Sequence, residues 1–174
     1  MNELRLIPAD RTSSVFPALD ALMNRAFPEN ERVPMEHLLR QDDGHEMLAI
    51  MQGDAFAGFI SLLTHGDICH ILFFATEEHL RGQGVGARAL SLLREMKPGL
   101  RIIADLEACV DSASDLPMRQ RRIAFYHRCG FKNTPVGYRW RGEDYVILSN
   151  GGNVTDEEFW TFWKAYDRPR PAAT

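Results

Sequence analysis

Hydrophobic and polar residues alternate at the start of the chain, where Leu4 and Leu6 stand among Glu3 and Arg5 and predict a short, half-buried strand. The period then changes. Val15, Leu19, Leu22 and Met23 fall on one helical face, and Pro28 stops that run. Met35, Leu38 and Leu39 predict a second, shorter helix closed by Asp42-Asp43-Gly44. "EMLAIMQGDAFAGFISLL" reads as two strands about a Gln52-Gly53-Asp54 turn, and "THGD" turns the chain into a third, "ICHILFF". These three strands form an antiparallel meander.

A helical stripe follows on Val85, Ala89, Leu92, Leu93 and Met96, closed by Lys97-Pro98-Gly99. In "RIIADLEACV", Ile102, Ala104, Leu106, Ala108 and Val110 face one way, and Ile103, Asp105, Glu107 and Cys109 the other. Strand, helix and strand imply a parallel crossover, right-handed by default. "DSASDLPMRQ" is a loop that enters a helix near Pro117. That helix carries Phe125 and Cys129 four apart and ends at Gly130-Phe131, the mark of a left-handed glycine cap. "VGYRWRGEDYVIL" predicts a hairpin turning at Gly142. Thr155 and Glu158 then make a capping box ahead of Phe159, Phe162, Trp163 and Tyr166 on one face of a last helix, and "RPRPAAT" reads as a frayed end. The expectation is one α+β domain over residues 1–174, without repeats or linkers: a mixed central sheet flanked by helices.

Composition narrows the options. With 174 residues, 45% hydrophobic, the chain can bury a substantial core. A net charge of −4 gives no bulk attraction to nucleic acid or anionic membrane, and mildly favours a cationic substrate such as an amine. The one basic cluster is short and lacks interleaved aromatics, so nucleic-acid binding fits poorly. Neither a signal core nor the roughly 18–20 apolar residues of a membrane span is present. Cys69, Cys109 and Cys129 are odd in number and lack a CxxC pair, so they read as reduced thiols of a cytoplasmic protein without a zinc site. His37, His45, His65, His79 and His127 read as surface residues or caps, with no metal spacing among them.

The densest signal is "HLRGQGVGARAL", with Gly82, Gly84 and Gly86 within five positions at the mouth of a helix. Bare backbone there lets N–H groups converge beside the positive end of the helix dipole, a cradle for phosphate or pyrophosphate. A plain tight turn is the simpler alternative for an isolated glycine triplet. A Walker loop is excluded, since no Gly-Lys pair occurs. Gly82, Gly84 and Ala87 do satisfy the dinucleotide fingerprint G-x-G-x-x-G/A, with Asp105 near its acidic position. That fingerprint follows its strand at once and leads to further βαβ units. Here "TEEHLR" intervenes after Phe74 and Ala75, and after Asp105 only one helix and a hairpin precede the last helix, with no further βαβ unit, so it is rejected.

"RGQGVG", after an apolar strand and an acidic "TEE", resembles the R/Q-x-x-G-x-G/A loop of the GNAT superfamily of acyl-CoA N-acyltransferases. "AFYHRCGF" (Ala124 to Phe131) resembles its second signature. The resemblance covers residues 48–148 as an acyl-CoA-binding core. Residues 1–40 then supply the first strand and acceptor-side helices, and 155–167 the last helix. It implies a GNAT-like fold in which the meander joins one βαβ crossover whose parallel strands splay apart. It also implies acetyl-CoA as cosubstrate, with Arg81, Gly82, Gln83, Gly84, Val85, Gly86 and Ala87 on the pyrophosphate. Phe74, Ala75 and Thr76 would take the pantetheine arm as an added strand.

Transfer to an amine needs a base for the attacking nitrogen and an acid for the departing thiolate. The resemblance puts Tyr126 in the acid's place. Two bases stay open: His70, on the splayed strand where relatives keep a His or Glu, and Glu107, on the polar face of the neighbouring strand. No metal is implied. Relatives carry an Asn early in the Tyr helix, where this chain has Arg119-Gln120-Arg121-Arg122. An Arg there could reach the 3′-phosphate, or the run is a solvated basic face. The expected activity is N-acetyl transfer from acetyl-CoA to a primary amine of a small molecule or peptide. The alternative is a non-catalytic coenzyme A-binding partner module. Trp140, Trp160 and Trp163 offer aromatic surface for a homodimer.

Overall fold

A computed structural model describes residues 3–39 and 44–165. Asp42, Asp43, Tyr166 and the "RPRPAAT" end, on which parts of the reading above fall, lie outside the described residues. The strands are β1 (Leu4–Pro8), β2 (His45–Gln52), β3 (Ala55–His65), β4 (Ile68–Thr76), β5 (Arg101–Glu107), β6 (Lys132–Trp140) and β7 (Glu143–Asn150). The helices are α1 (Phe16–Ala26), α2 (Met35–Leu38), α3 (Val85–Met96), α4 (Leu116–Arg128) and α5 (Asp156–Lys164). The seven strands form one mixed sheet in the order β1-β2-β3-β4-β5-β7-β6, antiparallel apart from the β4–β5 pair that α3 connects. The fold is the expected α+β class with helices flanking the sheet.

By contacts the chain forms two compact units, Met1–Thr64 with Ile71–Pro98, and His65–His70 with Gly99–Thr174. In the first, β1 and β2 pair from Leu4↔Gln52 to Pro8↔Leu48, and β2 continues antiparallel against β3. Leu19, Leu22 and Met23 of α1 pack with Leu38, Met47 and Phe59, the apolar stripe that its period demanded. The stripe of α3 is shifted: Val85, Ala89, Leu90 and Leu93 are buried, whereas Met96 is exposed and Leu92 only half-buried. At 100° per residue Leu90 and Leu93 share one side of the axis, and Met96 has turned past the contact.

In the second unit β5 pairs antiparallel with β7 from Ile102↔Asn150 to Glu107↔Tyr145, and β7 with the edge strand β6. Ile102, Ile103 and Ala104 are all buried, so β5 is covered on both faces at its start and alternates only from Asp105 onward. β6 breaks register between Asn133 and Gly137, around Pro135, a residue an edge strand tolerates because it has no N–H to donate. The hairpin turn uses Arg141 (φ 49°) and Gly142 (φ 81°), both left-handed as a two-residue turn requires. α4 ends as expected: Gly130 (φ 88°) donates to His127 O, and Phe131 N to Tyr126 O. The Thr155–Glu158 capping box opens α5, and Phe159 and Phe162 are its buried residues.

Candidate active site

The glycine loop belongs to the first unit. After β4 a 3-10 turn (Glu78–Leu80) leads to Gly82 (φ 77°) and then Gly84 (φ 79°), the left-handed N-cap of α3. The first helical bond runs from Arg88 N to Gly84 O. The amides of Val85, Gly86 and Ala87 therefore have no intrahelical acceptor, and the positive end of the dipole lies among them. A Cβ built on Gly82 or Gly84 would meet no heavy atom within 4 Å, so the outer side of the loop is clear. Gln83 Nε2 donates to His79 O at 2.9 Å, and the Arg81 side chain is exposed, with Glu78 at 3.9 Å. Such a loop can take a phosphate on backbone donors with no lysine.

Phe74, Ala75 and Thr76 form the half-buried end of β4. They lie close to β3 because Gly58 lacks a side chain: a Cβ there would stand 2.9 Å from Thr76 Cα and nearer still to Ala75 O. Glu77 N donates to Ala57 O just beyond.

The acid and base candidates belong to the second unit. Pro117 sits in the first turn of α4, which runs back along β5. Arg119, 5% exposed, donates to Ala108 O and pairs with Glu107 Oε2 (2.7 Å), Asp115 Oδ1 (2.7 Å) and Glu143 Oε2 (3.2 Å). It is neither a solvated basic residue nor a free phosphate ligand: it ties α4 to β5 and β7. Arg122, one turn on, reaches Glu107 Oε1 at 3.6 Å, and Arg121 is exposed. Glu107 is thus flanked by two guanidiniums. Tyr126, four residues past Arg122 on the same helix face, is buried against Phe125 and Phe131. Burial raises its pKa well above that of a free phenol; Arg122 opposes the shift, and the Asp105 and Cys129 charges add to it. The phenol therefore stays protonated at neutral pH.

His70 is 1% exposed, its ring packed edge-on against Phe159, Phe162 and Trp163. Its Nε2 lies 3.2 Å from Asp105 Oδ1, while Nδ1 is buried with no hydrogen-bond partner among the described residues. The Tyr138 hydroxyl donates to the other oxygen of Asp105. The result is a chain from β4 through β5 to β6, with Tyr145 of β7 stacked on Tyr138. Burial pushes the Asp105 carboxyl up, but His70 and the hydrogen bonds from His70 and Tyr138 outweigh it and hold the group below the usual carboxylate range. Burial and the neighbouring Asp105 raise the Tyr138 phenol.

Asp105 and Tyr138 were not among the expected catalytic residues. The alternation of β5 did place Asp105 beside Glu107 on one face, a usable signal. Tyr138 had none, because its approach to Asp105 depends on pairing across β7. Trp160 and Trp163 are half-buried in the aromatic layer of α5, so the tryptophan surface expected for a dimer reduces to Trp140. His45 is buried, not a surface residue. Among the described residues no cluster of three or more His, Cys, Asp or Glu is arranged for a metal, and no helix is long and apolar enough to cross a membrane.

The model of the acetyltransferase (GNAT) family matches residues 16–131, and the chain belongs to that family of acetyltransferases. Among curated proteins no sequence matches. Among solved structures, a GNAT-family protein from Bacteroides thetaiotaomicron is 26% identical with a TM-score of 0.75, over 93% of this chain and 94% of that one. An acetyltransferase from Bacillus subtilis in complex with CoA is 20% identical with a TM-score of 0.59, over 88% and 100%. The ribosomal-protein alanine N-acetyltransferase of Escherichia coli is 16% identical with a TM-score of 0.64, over 88% and 96%. The last two share the fold.

Proposed function

We propose that this chain is a cytoplasmic N-acetyltransferase that moves an acetyl group from acetyl-CoA to a primary amine. Gly84 carries the reading: a left-handed N-cap that leaves the amides of Val85, Gly86 and Ala87 without intrahelical acceptors, on a loop whose outer side is clear. Arg81 to Ala87 hold the pyrophosphate, and Phe74 to Thr76 offer strand backbone to the pantetheine arm. CoA in the Bacillus subtilis structure supports this cosubstrate, and the Escherichia coli relative is an N-acetyltransferase by name. None of the three cysteines is in a disulfide, which suits a reducing compartment.

Acetyl-CoA supplies a thioester carbonyl; a C–N bond forms, the C–S bond breaks, and the thiolate must gain a proton as the nitrogen loses one. Tyr126, kept protonated by burial, gives the first of these protons. The sequence offered His70 and Glu107 for the second. His70 has its Nε2 on Asp105 and its Nδ1 shut among aromatic rings, and Glu107 is engaged by Arg119 and Arg122.

The test is thiol release from acetyl-CoA across a panel of diamines, aminoglycosides, amino acids and short peptides with free N-termini, alongside calorimetric binding. Amine-dependent release with micromolar binding is expected. Binding with no release on any amine would reduce the protein to a coenzyme A-binding module, and no binding would remove the cosubstrate.

A further inference from the structure

We infer that Asp105 is the group that takes the proton from the attacking amine, with His70 and Tyr138 as its positioning residues. The inference rests on the acetyltransferase reading above and assigns the one role that the expected residues leave open.

The geometry of β5 and α4 carries it. Residues two apart on a strand share a face, so Asp105 and Glu107 project together. Residues four apart on a helix share a face, so Arg122 and Tyr126 project together. Because α4 runs back along β5, Arg122 meets Glu107, and Tyr126 comes within reach of the Asp105 charge one turn later. Asp105 thus lies on the strand face that α4 covers, with its carboxylate held by His70 and Tyr138.

Accessibility points the same way. The His70 side chain is 1% exposed and that of Asp105 26%. The carboxylate is fixed on both oxygens, by His70 Nε2 on Oδ1 and the Tyr138 hydroxyl on Oδ2. Each oxygen keeps a second lone pair for an N–H or for a bridging water. The Phe159, Phe162 and Trp163 rings hold the His70 imidazole in place, which fixes the carboxylate's orientation in turn. The charged or titratable groups facing Asp105 are His70 from β4, Tyr126 from α4 and Tyr138 from β6. In the step itself, the amine's N–H bond breaks and its proton passes to a carboxylate oxygen, directly or through one water, as the C–N bond forms.

The experiment is single-turnover transfer from acetyl-CoA to the best amine of the panel, on the full chain, with acetyl-CoA affinity measured in parallel. Asp105→Asn should lose roughly 10²–10⁴-fold in rate at neutral pH with affinity unchanged. Part of the loss should return at alkaline pH, where hydroxide can take the nitrogen's proton in place of the carboxylate. Tyr138→Phe keeps the ring and the carboxylate but removes one donor, so the acidic limb of its pH–rate profile should move to higher pH. Loss of packing alone would not shift it. A folded Asp105→Asn variant with the parent rate overturns the assignment, as does a full loss confined to His70→Ala or Glu107→Gln. If Asp105→Asn does not fold, an unmoved acidic limb in Tyr138→Phe overturns it instead. A parent protein that binds acetyl-CoA but acetylates no amine sinks the acetyltransferase reading, and this assignment with it.

Discussion

The imidazole of His70 and the carboxylate of Asp105 meet at 3.2 Å from neighbouring strands, in an environment where one partner is sealed and the other still touches water. The buried side of this pair sets geometry, and the wet side is available for chemistry. A histidine alone in the sequence suggests a base. Its surroundings decide whether it acts as one or orients another group.

The proton donor is tested by Tyr126→Phe, which deletes one hydroxyl and keeps the ring between Phe125 and Phe131. Folding and acetyl-CoA affinity should hardly change. The single-turnover rate should fall by roughly 10²–10⁴-fold. A parent-like rate would leave Tyr126 as a packed residue, with water as the acid.

The anion cradle is tested by Gly84→Val. At φ 79° a β-branched residue is strained, so the substitution draws the N-cap out of its left-handed conformation and misplaces the amides that follow. Calorimetry should show acetyl-CoA affinity reduced at least about tenfold, roughly 1.4 kcal/mol, with the melting transition still cooperative. Unchanged affinity in the folded variant would detach the loop from the cosubstrate.

Arg119 anchors the helix that carries Tyr126. Arg119→Met leaves Glu107, Asp115 and Glu143 facing one another without their shared cation, and should cost about 3 kcal/mol in urea denaturation. That is the lower end for a broken buried pair, because Asp115 and Glu143 keep contact with water. Arg119→Lys should recover only part, since one ammonium cannot reproduce a planar fork with five donors. Denaturation midpoints equal to the parent's would show that the cluster adds no stability.

Acid stability follows from Asp105. Its carboxyl titrates lower in the folded chain than its unfolded value, near 3.9. Between those two values the unfolded chain binds more protons, so the stabilisation is complete above roughly pH 4 to 5 and is lost as pH falls through the folded value. Denaturant midpoints measured across that range should fall less steeply in Asp105→Asn than in the parent. Parallel slopes would mean that the His70–Asp105–Tyr138 chain is not coupled to folding.

Much of this was legible in the chain because it is written locally. The Gly82–Gly84 loop, the Gly130-Phe131 cap, the Gly142 hairpin and the Thr155–Glu158 box depend on residues a few positions apart, and period-2 and period-3.6 patterns marked the strands and most helical faces. The proton chain was not legible because its members are distant: His70 and Asp105 are 35 residues apart, and Asp105 and Tyr138 are 33. Only the order β4-β5-β7-β6 brings them to one place. Arg119 alone departs from the basic-face reading, since Arg121 and Arg122 are exposed, and for a related reason. A basic run looks solvated until the helix's direction along β5 is known, and no local pattern encodes that direction.

The aromatic layer of α5 gives the molecule an internal light source. Of three tryptophans, Trp163 lies 5.1 Å from the His70 ring and Trp160 lies 6.2 Å from that of Tyr138, while Trp140 sits outside under the Arg141 guanidinium. Two of the three indoles thus border the side chains that orient Asp105. Their emission is a label-free gauge of that neighbourhood, and quenching by a soluble agent such as iodide would separate the exposed Trp140 from the pair beside the proton chain.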